Sequence, residues 1–347
     1  MRAVVYSQTG SSSVLSVEER PLPEPGPGEV RVRVVRAGVN PTDWKFRANA
    51  KNGPWDEVVP GQDAAGVVDA VGEGVDGFAV GDRVWTILAQ WARPGGTAAE
   101  HTVLPTACVV PLPDGASYDL GASLGVPAVT AHRALTAGED APRLGPGALE
   151  GRTVLVAGGA GAVGNAAIQL AVWSGATVVT TISSDEKADL ARAAGAHHVV
   201  NYRTEDAAAR IKEIVPQGVD LVVEVALAEN LALDVEVLRN RGTLAYYADN
   251  GGAEAALPVR ASFAKNLRLQ GLLLYTLGED LLAAAAEDVT AAVAAGALRV
   301  GDDVGVPLHH YRLEETAAAH DAVEAGAVGK VLIDVADETA APDSDAA

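Results

Sequence analysis

Thr153-Val-Leu-Val-Ala-Gly-Gly-Ala-Gly-Ala-Val-Gly-Asn165 joins a short apolar run to a glycine-rich turn and then to apolar residues at helical spacing. Val154, Leu155 and Val156 read as a buried strand, and Ala166, Ala167, Ile168, Leu170 and Ala171 as the first turns of a helix. Between them Gly159, Gly161 and Gly164 form G-x-G-x-x-G, a pattern that is weak alone and informative in this strand, turn and helix setting. One glycine turns the chain, one lets the backbone approach a pyrophosphate, and one lets helix and strand pack closely, so that helix N-terminal amides face the anion. The stretch therefore predicts a dinucleotide site at Gly158, Gly159, Gly161, Ala162, Val163 and Gly164.

The surrounding sequence divides in two. From 1 to about 122 short β-like runs are broken by Gly and Pro, with alternation in Glu29-Val-Arg-Val-Arg-Val-Val35. From 123 to 262 apolar strands near 154, 177, 198, 221 and 243 alternate with Ala-rich helices, the pattern of a doubly wound parallel sheet. Residues 263–336 hold an apolar run at Leu267 to Tyr275, a helix from Asp280 to Ala295 and a last strand in Gly329-Lys-Val-Leu-Ile-Asp334. The tail 337–347 lacks large apolar residues and is expected to be disordered.

At 347 residues and 48% hydrophobic content the chain suffices for two cores. A formal charge of −20 argues against nucleic acid as a partner, because phosphate binding relies on Lys and Arg. Cys108, the single cysteine, excludes an internal disulfide and a cysteine-cluster zinc site and is expected to be a buried small residue of a strand. No apolar run reaches the length of a membrane span and no signal sequence opens the chain, so the cytoplasm is the expected compartment.

The strand Thr177-Val-Val-Thr-Thr-Ile182 ends without the acid that accepts hydrogen bonds from the ribose hydroxyls of NAD. Ser183, Ser184 and Lys187 follow, a donor-rich set suited to a 2′-phosphate, and NADPH is preferred to NADH on the missing acid. Asp185 and Glu186 leave the other reading open, and Ser184 also reads as a plain helix cap with Lys187 on a solvated face.

Several motifs now coincide in order and spacing: Ala37-Gly-Val-Asn-Pro-Thr-Asp43, Pro60-Gly-Gln-Asp-Ala-Ala-Gly66, Gly81-Asp-Arg-Val84, Gly95-Gly-Thr-Ala-Ala-Glu100, Pro127-Ala-Val-Thr-Ala131, the glycine turn, Gly195-Ala-His-His-Val-Val-Asn-Tyr202 and Gly329-Lys-Val331. Over nearly its whole length the chain resembles the zinc-free quinone oxidoreductase (zeta-crystallin-like) branch of the medium-chain dehydrogenase/reductase superfamily. The resemblance implies a GroES-like β-rich catalytic domain built from both chain ends, with a Rossmann domain inserted. It implies that Lys187 and Tyr202 lie beside the adenosine 2′-phosphate and Thr130 near the nicotinamide. It also implies that Tyr247 and Ala248, with Leu273, Leu274 and Tyr275, wall the cofactor, and that Leu267 to Tyr275 pairs two subunits of a homodimer.

Zinc-dependent relatives place cysteine where Asn40 stands and a His-Glu pair where Gln62 and Asp63 stand, so no metal is expected. Without a Lewis acid, reduction of a conjugated acceptor needs mainly alignment with the nicotinamide and a proton. The expected reaction is hydride transfer from NADPH to a quinone or other α,β-unsaturated carbonyl compound in a cleft between the domains. Asn40, Asp43 and Lys45 are the catalytic candidates: Asn40 to donate a hydrogen bond to the substrate carbonyl, Asp43 to orient Asn40 or Lys45. Equally, Asn40-Pro41 forms a turn and Asp43 caps a short helix around Trp44 to Arg47. Trp44, Phe46, Trp55 and Trp91 offer aromatic surface, with packing the commoner role for each. An enoyl or alkenal double-bond reductase, and an NADPH-binding protein without turnover, are the alternative functions.

Overall fold

The first strands of the chain are β1 (Arg2–Val5), β2 (Ser16–Glu19), β3 (Glu29–Val39), β4 (Asp63–Val71), β5 (Arg83–Thr86), β6 (His101–Pro105) and β7 (Val109–Pro111). Six more follow: β8 (Thr153–Ala157), β9 (Thr177–Ile182), β10 (His198–Asn201), β11 (Val219–Glu224), β12 (Leu238–Tyr246) and β13 (Arg268–Gly271). The chain closes on β14 (Leu308–Arg312) and β15 (Lys330–Asp334). These come from a computed structural model, which describes residues 1–49 and 53–338; most of the tail expected to be disordered lies outside the described residues.

Two units result, one from Met1–Val126 with Leu308–Ala347, the other from Pro127–Pro307. In the first, a mixed sheet runs β14-β15-β3-β4-β5-β7, and β6 also pairs with β3. The long strand β3 makes this possible. Glu29 to Arg33 pair with β6, and Arg36 to Val39 pair with β15, so one edge of a single strand receives both the early chain and its distant end. Val30, Val32, Val68, Val84 and Leu104 are wholly buried together, as the alternation in β3 predicts. Arg31, the polar position between Val30 and Val32, is itself buried, and Asp69 accepts from its Nε at 2.9 Å.

The second unit is a parallel six-stranded sheet in the order β10-β9-β8-β11-β12-β13. Strand order reverses direction between β8 and β11, which makes the C-terminal ends of those strands the place where a doubly wound sheet opens for a ligand. Leu155, Val179, Val200, Val222 and Leu244, one from each of five adjacent strands, share a core with Ile211, Leu231 and Val235 from the crossover helices. Runs that are apolar at every position suit strands covered on both faces.

Two expectations change. The run Leu267 to Tyr275 is a strand only over Arg268–Gly271; Leu272 still bonds the Tyr246 carbonyl, and the chain then turns into a 3₁₀ segment at Leu274–Thr276. Cys108 is not a buried strand residue but the half-buried end of a 3₁₀ turn, Thr106–Cys108, with its Sγ 3.0 Å from the Arg93 guanidinium. His309 and His310 lie in β14, where His309 bonds the Val328 carbonyl and His310 the Asp334 carboxylate, each at 2.8 Å.

Candidate functional site

In the nucleotide-type unit the expected residues gather along one edge of the sheet. Gly158 to Gly164 follow β8, Ser183 to Lys187 follow β9, Tyr202 follows β10, Tyr247 and Ala248 follow β12, and Leu273 to Tyr275 follow β13. All five strands are parallel, so all these segments leave from their C-terminal ends.

The glycines of the turn differ in what requires them. Gly158 has φ +69°, a left-handed conformation that a side chain resists. A Cβ on Gly159 would lie 2.2 Å from Thr180 Oγ1, and one on Gly164 would lie 2.4 Å from the Gly158 carbonyl oxygen. Gly161 is different: its φ of −79° and ψ of 161° suit any residue, and an added Cβ meets nothing closer than 3.5 Å. It is the N-cap of the helix Ala162–Trp173, whose first intrahelical bond runs from Asn165 N to Gly161 O. Helix geometry leaves the preceding amides, those of 162–164, without intrahelical acceptors. The protein's own packing thus requires a glycine at 158, 159 and 164 and not at 161.

At the next strand end, Ser184 caps the helix Asp185–Ala193 by accepting the Lys187 amide at 3.3 Å, while Lys187 Nζ turns back to Ser183 Oγ at 3.2 Å. The cap forms, and the Lys187 side chain is half-buried at the strand end. Asp185 and Glu186 are exposed, and Tyr202, half-exposed, bonds the Ile182 carbonyl through its amide at 3.1 Å. Thr130 is buried in the helix Val129–Leu135. Tyr247 donates its amide to the Glu224 carbonyl at 3.2 Å. Beneath it Glu224 and Asp234 are fully buried acids, both pushed above the usual carboxylate range by burial and, for Asp234, by the neighbouring Glu224. Leu274 is buried and Leu273 is exposed.

In the catalytic-type unit Asn40, Asp43, Asp63 and Lys330 form one buried polar network, each at most 2% exposed. Strand register assembles it. Val331 pairs with Val39 and Asp63 pairs with Gly38, so the first residues of β15 and β4 flank the residue just beyond β3, Asn40. Lys330 Nζ donates to Asn40 Oδ1 at 2.8 Å and to Asp63 Oδ2 at 3.2 Å, and Asn40 Nδ2 donates to Asp63 Oδ2 at 2.7 Å. The Val126 amide satisfies Asp63 Oδ1 at 2.8 Å. Gly38 makes room, since a Cβ there would lie 2.8 Å from Lys330 Nζ and 2.1 Å from the Ala122 carbonyl oxygen.

Asn40 also begins the helix Pro41–Asn49: its amide donates to Asp43 Oδ2 at 2.7 Å, with proline in the first helical position. This geometry matches the turn-and-cap arrangement, and the Asn40 carboxamide is engaged by Lys330 and Asp63. Burial, and then Asp63, push the Asp43 carboxyl up to about 7. Asp63 is likewise raised by burial, with Lys330 and Asn40 acting against the rise. Lys45 is half-buried on the same helix. Gln62 and Gln90 bind one another reciprocally, Gln62 Nε2 to Gln90 Oε1 at 3.1 Å and the Gln90 amide to Gln62 Oε1 at 3.2 Å.

Lys330 and Asp63 were missed as site residues. The signal was a lysine opening an apolar strand, Lys330-Val-Leu-Ile333, where a charge is costly unless paired, but sequence spacing gives no hint that its partner lies 267 positions away. Among the described residues no group of three or more His, Cys, Asp or Glu side chains is placed to hold a metal ion, and no helix is long and apolar enough to cross a membrane.

A parallel sheet with this strand order and glycine turn, joined to a β-rich unit made from both chain ends, defines a two-domain dinucleotide-dependent oxidoreductase. Family comparisons agree: residues 26–114 match the alcohol dehydrogenase GroES-like domain and residues 162–294 the zinc-binding dehydrogenase domain. The quinone oxidoreductase of Lama guanicoe is 31% identical over 338 residues, covering 96% of this chain and 97% of its own. The 2-haloacrylate reductase of a Burkholderia species is 34% identical over 283 residues, 80% of each chain. Among solved structures, an NAD-dependent alcohol dehydrogenase superposes with TM-score 0.84 at 32% identity, covering 97% of this chain and 100% of its own. A mycobacterial protein solved with NADPH superposes with TM-score 0.81 at 30% identity, covering 96% and 100%. The chain belongs to the quinone oxidoreductase branch of the medium-chain dehydrogenase/reductase superfamily, and it is an oxidoreductase.

Proposed function

We propose that this protein is an NADPH-dependent, zinc-independent reductase of quinones. The observation that carries the cofactor assignment is Gly161, a glycine that nothing within the protein requires, at the mouth of a helix whose first amides await an anion. Gly158 to Gly164 would hold the pyrophosphate, and Ser183, Ser184, Lys187 and Tyr202 the 2′-phosphate. Thr130, Tyr247, Ala248, Leu273, Leu274 and Tyr275 would line the remainder. Lys187 supports NADPH over NADH because its ammonium is held at a strand end that has no acid. The mycobacterial relative solved with NADPH supports the same choice. Bound there, NADPH supplies a hydride.

The donor set argues against zinc. Asn40 and Gln62 are neutral amides already hydrogen-bonded to side chains, and Asp63 accepts from Asn40, Lys330 and Val126. Asn40 and Asp43 act as positioning residues that fix the start of the helix carrying Lys45 and Phe46. The acceptor is a conjugated carbonyl compound, which a hydride can reduce without a Lewis acid on its oxygen. A quinone is the first choice from the full-length relatives. An acyclic α,β-unsaturated acid is the second reading, favoured by the 2-haloacrylate reductase.

The test is NADPH oxidation against a panel of quinones, enals, enoyl thioesters and 2-chloroacrylate. Quinone turnover with little C=C reduction supports the first reading, and the reverse supports the second. Tight NADPH binding with no turnover of any acceptor overturns both. For assembly we infer a homodimer through β13, the outer strand of its sheet, all of whose residues are exposed, with Leu269, Leu273 and Leu281 presenting apolar surface.

A further inference from the structure

Glu224 is the last residue of β11, at the place where strand order reverses and the parallel sheet opens for a ligand. Its carboxylate turns back onto its own chain. Oε1 accepts from the Ala226 amide at 2.5 Å and from Asn230 Nδ2, on the following helix Leu227–Val237, at 3.1 Å. The Glu224 carbonyl takes the Tyr247 amide at 3.2 Å and Ala226 pairs with Asp249 in a single antiparallel bridge, so the exits of β11 and β12 are tied together. The corner held in this way lies on the glycine turn. A Cβ on Gly158 would stand 3.3 Å from Val225 Cγ1.

The second oxygen of this carboxylate raises a question of charge. Glu224 Oε2 and both carboxyl oxygens of Asp234, farther along the same helix, are buried without a donor among the described residues. Both residues are wholly enclosed, and their carboxyl groups are hydrogen-bond neighbours. The charge that acts on Asp234 is that of Glu224, and the Tyr247 phenol is held above its ordinary range by burial and then by Glu224. Two carboxylates side by side in such a place cannot both ionise, because desolvation and mutual repulsion oppose the second charge. One proton removes both difficulties. On Asp234 it makes an O–H donor for Glu224 Oε2, and a single charge is then received by three donors: the Ala226 amide, Asn230 Nδ2 and the Asp234 carboxyl. On Glu224 it would forfeit the charge-assisted bond from the Ala226 amide.

We propose that Glu224 and Asp234 share a single proton and are positioning residues for the cofactor: protonated Asp234 donates to Glu224, whose carboxylate holds the corner at 225–226 against the glycine turn. Both side chains are enclosed, so they act through that corner. The inference rests on the reading of the turn as the NADPH site and names the groups that fix its shape. A buried carboxyl pair is a costly way to fill space, since apolar side chains of similar volume do so at no electrostatic cost.

The experiment takes the full chain as wild type, Asp234→Asn, Asp234→Ala and Asn230→Ala, and combines infrared difference spectra at pH 7 with NADPH fluorescence titration. The wild type should show the C=O stretch of a protonated carboxyl that Asp234→Asn lacks, and absence of that band overturns the proposal. Asp234→Ala removes the donor to Oε2 and should weaken NADPH binding about 10-fold; Asn230→Ala removes a donor to Oε1 and should act in the same direction. Asp234→Asn should recover most of the affinity, because its amide still donates to Oε2. Unchanged NADPH affinity in either alanine variant, or equal loss in Asp234→Asn and Asp234→Ala, confines the pair to stability and overturns the proposal. Should Asp234→Ala fail to fold, Asn230→Ala and the infrared band decide. If the wild type itself binds no NADPH, the reading of the turn fails and the proposal falls with it, a result distinct from wild-type binding that the variants leave unchanged.

Discussion

A single methyl group separates two kinds of glycine in the turn at 158–164. Gly164→Ala drives a Cβ to 2.4 Å from the Gly158 carbonyl and should destabilise the nucleotide-type unit by roughly 1–3 kcal/mol, read as a lowered Tm. Gly161→Ala has room in the protein and a permitted backbone, so Tm without ligand should stay near that of the wild type. Its NADPH affinity, measured by fluorescence titration, should fall at least about 10-fold if the proposed pyrophosphate site is right, because the methyl would stand where the anion would approach the helix amides. Equal NADPH affinity in Gly161→Ala would detach the glycine from the cofactor. The pattern G-x-G-x-x-G was legible in the sequence, but which of its glycines the fold itself requires was not, since that depends on Thr180 from the neighbouring strand and on the turn's own carbonyl. Asp43 is a second residue-scale case. Its carboxyl is raised to about 7, so the folded state keeps a proton that the unfolded chain releases near 4. Its stabilising share is complete below the unfolded value and is lost as pH rises toward 7. Asp43→Asn, which keeps an oxygen for the Asn40 amide, should therefore gain in Tm relative to wild type between pH 5 and pH 8. A constant difference across that range would show that Asp43 ionises normally.

Elements are held together by polar contacts that periodicity does not announce. Asp288, on the helix Glu279–Ala294, accepts from His132 Nε2 at 2.8 Å, from the Leu144 amide at 2.9 Å and from the Arg143 guanidinium, joining three separate segments of one unit. Burial opposes its charge, but His132 and Arg143 win and hold the carboxyl down to about 2. Asp288→Ala leaves buried donors without an acceptor and should cost about 2–4 kcal/mol in denaturant unfolding at pH 7. A loss under about 0.5 kcal/mol would mean that water replaces the carboxylate. The sequence located the helix, predicted from Asp280 to Ala295, because its apolar spacing is local. It located five of the six strands of the parallel sheet for the same reason. It overextended the strand at 267–275, where apolar character continues but the partner strand's last carbonyl acceptor, at Tyr246, has already been used.

At the scale of the whole molecule the deciding event is the return of the C-terminal chain to β3, which places Lys330 against Asn40 and Asp63. Lys330→Met strands a buried carboxylate and should lower stability by about 3–5 kcal/mol, whereas Lys330→Met combined with Asp63→Asn removes both charges and should recover much of it. Denaturant unfolding of the two variants checks this, and a double variant no more stable than the single one would rule out charge pairing as the cause. By itself the sequence determined the dinucleotide turn, the α/β and β-rich division and the family, because strand and helix periods, glycine spacing and motif order are properties of neighbouring residues. Only the tertiary structure decided that Asn40 is engaged by a lysine 290 positions away and that Trp91 stacks on Phe46. Those contacts depend on strand register and on the path of the chain between distant segments, and burial then sets their energies; neither quantity is written in local spacing.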